Sequence, residues 1–211
     1  MKFLIIGYGS IGKRHANNLK FILKSERDII IYRQPGEKKV PGLKTFFNLK
    51  DALSEKPNAV VIATPTNSHI PIALKCAKAG THLFIEKPVS NNLKDIKKLT
   101  KLIKRNNLIT MIGCCLRFHP GLKHTKDLIA EKTIGKIISV IAQAGQYLPD
   151  WRAGVKYQNT YSAKKSLGGG VVLDLIHELD YLYWLFGEVK SVFAFTGKSS
   201  NLTIDTEDIA D

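Results

Sequence analysis

Gly7, Gly9 and Gly12 spell GxGxxG directly behind the apolar run at residues 3–6 and directly ahead of a segment with helical spacing. Few chains fit that sequence of strand, tight turn and helix. The first glycine permits the turn, the second lets the backbone approach a pyrophosphate, and the third lets helix and strand pack closely. Ser10 and Ile11 complete the turn, where the helix N-terminus offers N–H groups and its positive dipole end to an anion. Gly7, Gly9, Ser10, Ile11 and Gly12 are therefore expected to cradle the phosphates of a dinucleotide. A merely structural glycine turn is the alternative.

Apolar runs and helical patterns alternate through the first half. Strands are predicted at 2–6, 28–32, 59–63, 82–85 and 108–112, and helices at 11–24, 49–54, 68–79 and about 94–105. Strands apolar along their whole length belong in a parallel sheet covered on both faces. The pattern changes near Arg117. A helix at 122–131, a long strand at 136–144, an aperiodic stretch at 145–167, a helix at 171–186 and a strand at 189–196 follow. The fold class is thus α/β: an N-terminal Rossmann domain over 1–118, then an incomplete open-sheet α/β domain over 119–211. Residues 204–211 read as the start of another strand, so the second domain is expected to be truncated.

The net charge of +14 raises the question of a polyanionic partner. Its densest run, Lys94, Lys97, Lys98, Lys101, Lys104 and Arg105, interleaves with Ile96, Leu99, Leu102 and Ile103. That spacing describes an amphipathic helix with a lysine-rich wet face, so nucleic acid is not the expected partner. No apolar run approaches the roughly 18 residues of a membrane span, and residues 3–6 are too few for a signal peptide. A cytoplasmic protein is expected. Cys76, Cys114 and Cys115 lack the spacing of a disulfide framework or a zinc site, so no metal is expected.

A site selective for NAD carries a carboxylate about 20 residues past the glycines, on the ribose 2′-hydroxyl. Arg33 stands 21 residues past Gly12, where the second strand ends. An arginine there can pair with a 2′-phosphate, which favours NADP over NAD, unless Arg33 is only a solvated side chain.

Further motifs are Ala63-Thr64-Pro65-Thr66-Asn67-Ser68-His69, Ala79-Gly80-Thr81-His82, Glu86-Lys87-Pro88, Arg117-Phe118-His119-Pro120, and Gly168-Gly169-Gly170 leading to Asp174, His177 and Asp180. Together they resemble the Gfo/Idh/MocA oxidoreductases along essentially the whole chain. The resemblance implies hydride transfer to or from a carbinol carbon of a sugar, nucleotide sugar or polyol, with NADP or NAD. It also implies a homo-oligomer, dimer or tetramer, formed through the second-domain sheet. Segment 145–152 is similar to members of bacterial surface-polysaccharide pathways. A non-catalytic dinucleotide-binding sensor of the same fold is the alternative, against which Lys87 and His177 argue.

The chemistry requires a proton carrier and a positive charge at the oxygen. Lys87 is expected to supply the charge, and His177, with Asp174 orienting it, the proton transfer. Asp174 and His177, three apart instead of the family's usual four, are expected to share one helix face. Thr64, Pro65, His69, Glu86 and Lys87 are expected to border the cofactor, although a helix cap at Thr66 or Asn67 also explains the first of these stretches. Arg117, Tyr147, Trp151, Arg152 and Tyr161 are expected at the substrate; packing or subunit contacts would equally explain the aromatic residues, including Tyr157.

Overall fold

The computed structural model describes residues 1–211, and the chain divides into two compact units, Met1–Gly113 and Cys114–Asp211. The first unit runs β1 (Phe3–Ile6), α1 (Ser10–Leu23), β2 (Ile29–Tyr32), β3 (Lys44–Phe46), α2 (Leu49–Ser54), β4 (Ala59–Ile62), α3 (His69–Lys78), β5 (His82–Ile85), α4 (Ile96–Arg105) and β6 (Thr110–Ile112). All neighbouring strands are parallel, in the order β3-β2-β1-β4-β5-β6. This is the doubly wound Rossmann order, with a strand-order reversal beside β1.

Alternation along each strand sends successive side chains to opposite faces. Leu4, Ile6, Ile30, Val60 and Ile62 meet Ala52 of α2, Ile70, Ala73 and Leu74 of α3, and Leu99 of α4. Ile5, Ile29, Ile31 and Val61 face Ala16 and Leu19 of α1. Burying each large aliphatic side chain contributes about 1.5–3 kcal/mol. In α4 the predicted division holds: Leu99 is buried, while Lys97, Lys98, Lys101, Lys104 and Arg105 are exposed.

The second unit holds α5 (Pro120–Ala130), a series of 3₁₀ turns between Leu148 and Leu167, α6 (Val171–Asp174), α7 (Ile176–Phe186), β7 (Thr196–Gly197) and β8 (Ile209–Ala210). β7 and β8 form an antiparallel pair. The strand predicted at 136–144 does not form. The one predicted at 189–196 shrinks to its last residue and the next. Apolar alternation marks a face to be buried, but a strand also needs a ladder partner. Residues 136–144 have none, and residues 189–196 find one only at their end, where Phe195 exchanges backbone hydrogen bonds with Asp211 and Thr196 pairs with Ala210; Ile138 and Phe193 are 93% and 95% exposed. The single helix predicted at 171–186 is also broken, because Leu175 (φ −97°, ψ 27°) leaves the helical region between α6 and α7. Asp174 and His177 therefore do not sit on one continuous helix.

Candidate active site

β1, β4 and β5 lie side by side with Ile6, Ile62 and Ile85 in register. The residues that follow them, Gly7, Ala63 and Glu86, consequently emerge level along one edge of the sheet. Strand spacing puts the first and last of these roughly 10 Å apart. Gly7 has φ +91°, and a β-carbon on it would fall 2.4 Å from the Ala63 carbonyl oxygen. On Gly12 it would fall 2.1 Å from the Gly7 carbonyl oxygen, so helix and turn touch through backbone alone. Above Gly9 no atom lies within 4 Å. The first turn of α1 carries no acidic side chain. Its N–H groups have no carbonyl within the helix to meet, and an anion resting on Gly9 would satisfy them. The cradle fits a pyrophosphate.

Arg33 behaves differently from the simple expectation. Its Nη2 lies 2.8 Å from Glu37 Oε1 and its Nη1 donates to the Lys38 carbonyl at 2.6 Å. The other Glu37 oxygen accepts from the Gln34 N–H at 2.7 Å. The guanidinium is thus balanced by a carboxylate four residues on, which a search for an acid at the strand end does not see.

Beyond β5, Glu86 accepts from His15 of α1 at 2.6 Å and from the Lys87 N–H at 3.2 Å. The His15 ring in turn meets Phe84 edge-on, with centroids 5.0 Å apart. Beyond β4, Ser68 Oγ donates to Thr64 Oγ1 at 2.7 Å or the Pro65 carbonyl at 2.8 Å. The N-cap of α3 is Ser68, with no side-chain cap bond, and not Thr66 or Asn67, the alternative reading of this stretch. His69 is buried, its two ring nitrogens 2.8 and 2.9 Å from the carbonyls of Thr64 and Pro88.

In the second unit the glycine run packs where side chains cannot. A β-carbon on Gly169 would come within 2.2 Å of the Tyr161 carbonyl oxygen, and one on Gly170 within 2.2 Å of Glu207. This close approach delivers α6 and leaves Asp174 buried at its end. Burial, then the Asp174 carboxylate to which it is hydrogen-bonded, push the Tyr161 hydroxyl above its ordinary range. Arg152 lies over the Tyr161 ring, 5.4 Å from its centroid. Asp174, Tyr147, Leu148, Trp151 and Ser162 line one cavity of about 850 Å³. Arg117 is placed elsewhere: it grips Asp180 with two hydrogen bonds, 2.9 and 2.6 Å. Burial works to raise the Asp180 carboxyl, but the bonds and charge of Arg117, the Cys114 thiol and the charge of His177 hold it below the usual range. Burial and then Asp180 push Cys114 up to about 11.

Residues 1–114 match the model of the GFO/IDH/MocA oxidoreductase family's NAD-binding Rossmann fold, and residues 122–211 match its C-terminal domain. The chain belongs to the GFO/IDH/MocA family. Among its relatives, myo-inositol 2-dehydrogenase of Thermotoga maritima is 32% identical over 202 residues, 92% of this chain and 58% of that protein. Levoglucosan dehydrogenase of Pseudarthrobacter phenanthrenivorans is 33% identical over 65% of this chain and 35% of its own length. The WlbA dehydrogenase of Bordetella pertussis, solved with NADH and UDP-GlcNAcA, superposes with a TM-score of 0.81 at 25% identity, covering 99% of this chain and 65% of that one. The chain therefore spans about three fifths of GFO/IDH/MocA proteins such as the first and third. No helix is long and apolar enough to cross a membrane.

Within this GFO/IDH/MocA chain, Gly7 to Gly12, Thr64, Pro65, Glu86 and Lys87 share the sheet edge, while Tyr147, Trp151 and Asp174 share the cavity. Sequence reasoning missed Glu37, His15 and the pairing of Arg117 with Asp180. Asp180 belongs to the motif that follows Gly168 to Gly170, but nothing in that motif couples it to Arg117, 63 residues away.

Proposed function

We propose that the protein is an NAD(P)-dependent oxidoreductase that oxidises a carbinol carbon of a sugar, nucleotide sugar or polyol, or reduces the matching carbonyl. The observation that carries this reading is the common edge of β1, β4 and β5, with a pyrophosphate cradle at one point and Lys87 two strands away. When bound, the nicotinamide takes up or returns the hydride. Lys87 supplies positive charge to the carbinol oxygen, and His177 accepts the hydroxyl proton in oxidation and returns it in reduction. Asp174, buried and hydrogen-bonded to Tyr161, orients His177. Tyr147, Trp151, Arg152 and Tyr161 hold the substrate. Arg117 contributes through Asp180, since a guanidinium engaged by two bonds would have to release them to meet a substrate.

NADPH is preferred weakly over NADH, because Glu37 offsets part of the charge of Arg33. We read the substrate as a carbohydrate of the kind named for the inositol, levoglucosan and UDP-GlcNAcA relatives, and the enzyme as cytoplasmic. We read it as a dimer or tetramer, and a monodisperse monomer in sedimentation at micromolar concentration would contradict that.

Turnover variants test the assignment. Lys87→Ala and His177→Ala should each lower kcat by at least about a hundredfold with little change in cofactor affinity, and Asp174→Asn should cost less. Wild-type turnover in either alanine variant removes that residue from the mechanism.

A further inference from the structure

His69, at 1% exposure, is among the most buried polar side chains of the first unit. It opens α3, yet its ring reaches two other segments. Nε2 lies 2.8 Å from the carbonyl oxygen of Thr64, in the turn after β4, and Nδ1 lies 2.9 Å from that of Pro88, in the turn after β5. A carbonyl oxygen only accepts. A neutral imidazole has one N–H and satisfies one of these two oxygens, and only a doubly protonated ring satisfies both. Burial opposes the second proton and lowers the ring's affinity for it, against the pull of the two carbonyls and of the Glu86 charge. The other packed elements add no facing charge: β4 and the Thr66–Ser68 turn carry no ionisable side chain, and the lysines of α4 point to solvent.

A polar ring held at this depth loses its hydration, and an aliphatic residue would pack there without that cost. What an aliphatic residue lacks is the ability to tie two backbone turns together. Both turns lie on the sheet edge that carries Gly7, and the second contains Lys87. From the opposite face of the sheet, His15 of α1 holds Glu86, the residue before Lys87.

We infer that His69 is a positioning residue, a staple between the Thr64–Pro65 turn and the Lys87–Pro88 turn that fixes the surface receiving the nicotinamide half of the dinucleotide. This rests on the reading that the two turns border the nicotinamide. The phosphate cradle at Gly7 to Gly12 is built without His69, so its loss should divide the two halves of the cofactor.

The experiment titrates wild type, His69→Ala, His69→Asn and His69→Gln with NADH and with ADP-ribose, which lacks the nicotinamide, by calorimetry. Thermal unfolding of each variant serves as a folding check. Losing the hydrogen bonds of the staple should weaken NADH at least about tenfold in the Ala and Asn variants and ADP-ribose less than about twofold, while Gln, long enough to donate to one carbonyl, returns NADH binding to within about threefold. If His69→Ala does not fold, the Asn and Gln variants carry the comparison. Unchanged NADH binding in all variants overturns the inference and leaves the nucleotide reading standing. Equal loss of both ligands, or a Gln variant no better than Asn, also overturns it, because either result means general support of the fold. A wild-type protein that binds ADP-ribose as tightly as NADH, or binds neither, overturns the underlying reading instead, and the inference with it.

Discussion

Replacing Gly9 by aspartate should separate folding from cofactor binding. Gly9 is the N-cap of α1, with φ −73° and ψ −165°, extended backbone that any residue adopts, and no atom lies within 4 Å of where its β-carbon would stand. Aspartate is a favoured N-cap and complements the positive end of the helix, so stability should stay within about 1 kcal/mol of wild type or rise slightly. The same carboxylate would face the pyrophosphate across the cradle. Two unit charges about 5 Å apart at an effective dielectric near 20 repel by about 3 kcal/mol, which corresponds to at least a hundredfold loss of affinity. Gly12→Ala should behave in the opposite way. Its β-carbon would stand 2.1 Å from the Gly7 carbonyl oxygen, and a clash between two backbone segments has no flexible side chain to absorb it. Overpacking of this kind costs about 1–3 kcal/mol or more. Circular dichroism melts and NADH fluorescence titrations of the two variants measure both quantities. Normal NADH binding by folded Gly9→Asp would refute the placement of the pyrophosphate, and an unfolded Gly9→Asp would refute the N-cap argument.

Two further outcomes follow from charges at the edge of the first unit. Arg33→Asp should shrink the ratio of NADPH to NADH affinity and Glu37→Gln should enlarge it, because the two side chains are paired at 2.8 Å; equal ratios in competition titrations would mean that neither contacts the 2′ position. Glu55 is held by Lys44 and Lys2 at 2.6 and 2.9 Å, and these hydrogen bonds lower its carboxyl from 4.5 to about 2. A depressed carboxylate adds stability that is present above its unfolded value and is lost as pH falls through the folded one. Glu55→Gln should therefore lower the unfolding midpoint at pH 6 and leave it nearly unchanged at pH 2, and an equal loss at both would exclude the ion pairs as the cause.

The sequence by itself determined most of the first unit. Apolar runs such as residues 3–6, 29–32, 59–62 and 83–85 became strands because a strand covered on both faces is apolar along its length, a requirement that short windows display. The glycine spacing fixed the turn for the same local reason, and the lysine face of α4 declared itself by its period. β3 escaped notice because Lys44–Phe46 is short, half-exposed and without alternation.

Contacts made across long stretches of chain were decided only by the tertiary structure. His15 and Glu86 are 71 residues apart, and Arg117 and Asp180 are 63 apart. No window of local pattern couples such positions, since their meeting depends on strand order and packing. The second unit shows the same limit in its strands. Residues 136–144 and 189–194 carry the apolar character of a sheet, but a ladder is a relation between two segments, and only Phe195–Gly197 find partners, in Ile209–Asp211. Side-chain periodicity records which face a segment offers for burial; which segment comes to lie against it is settled by the fold as a whole.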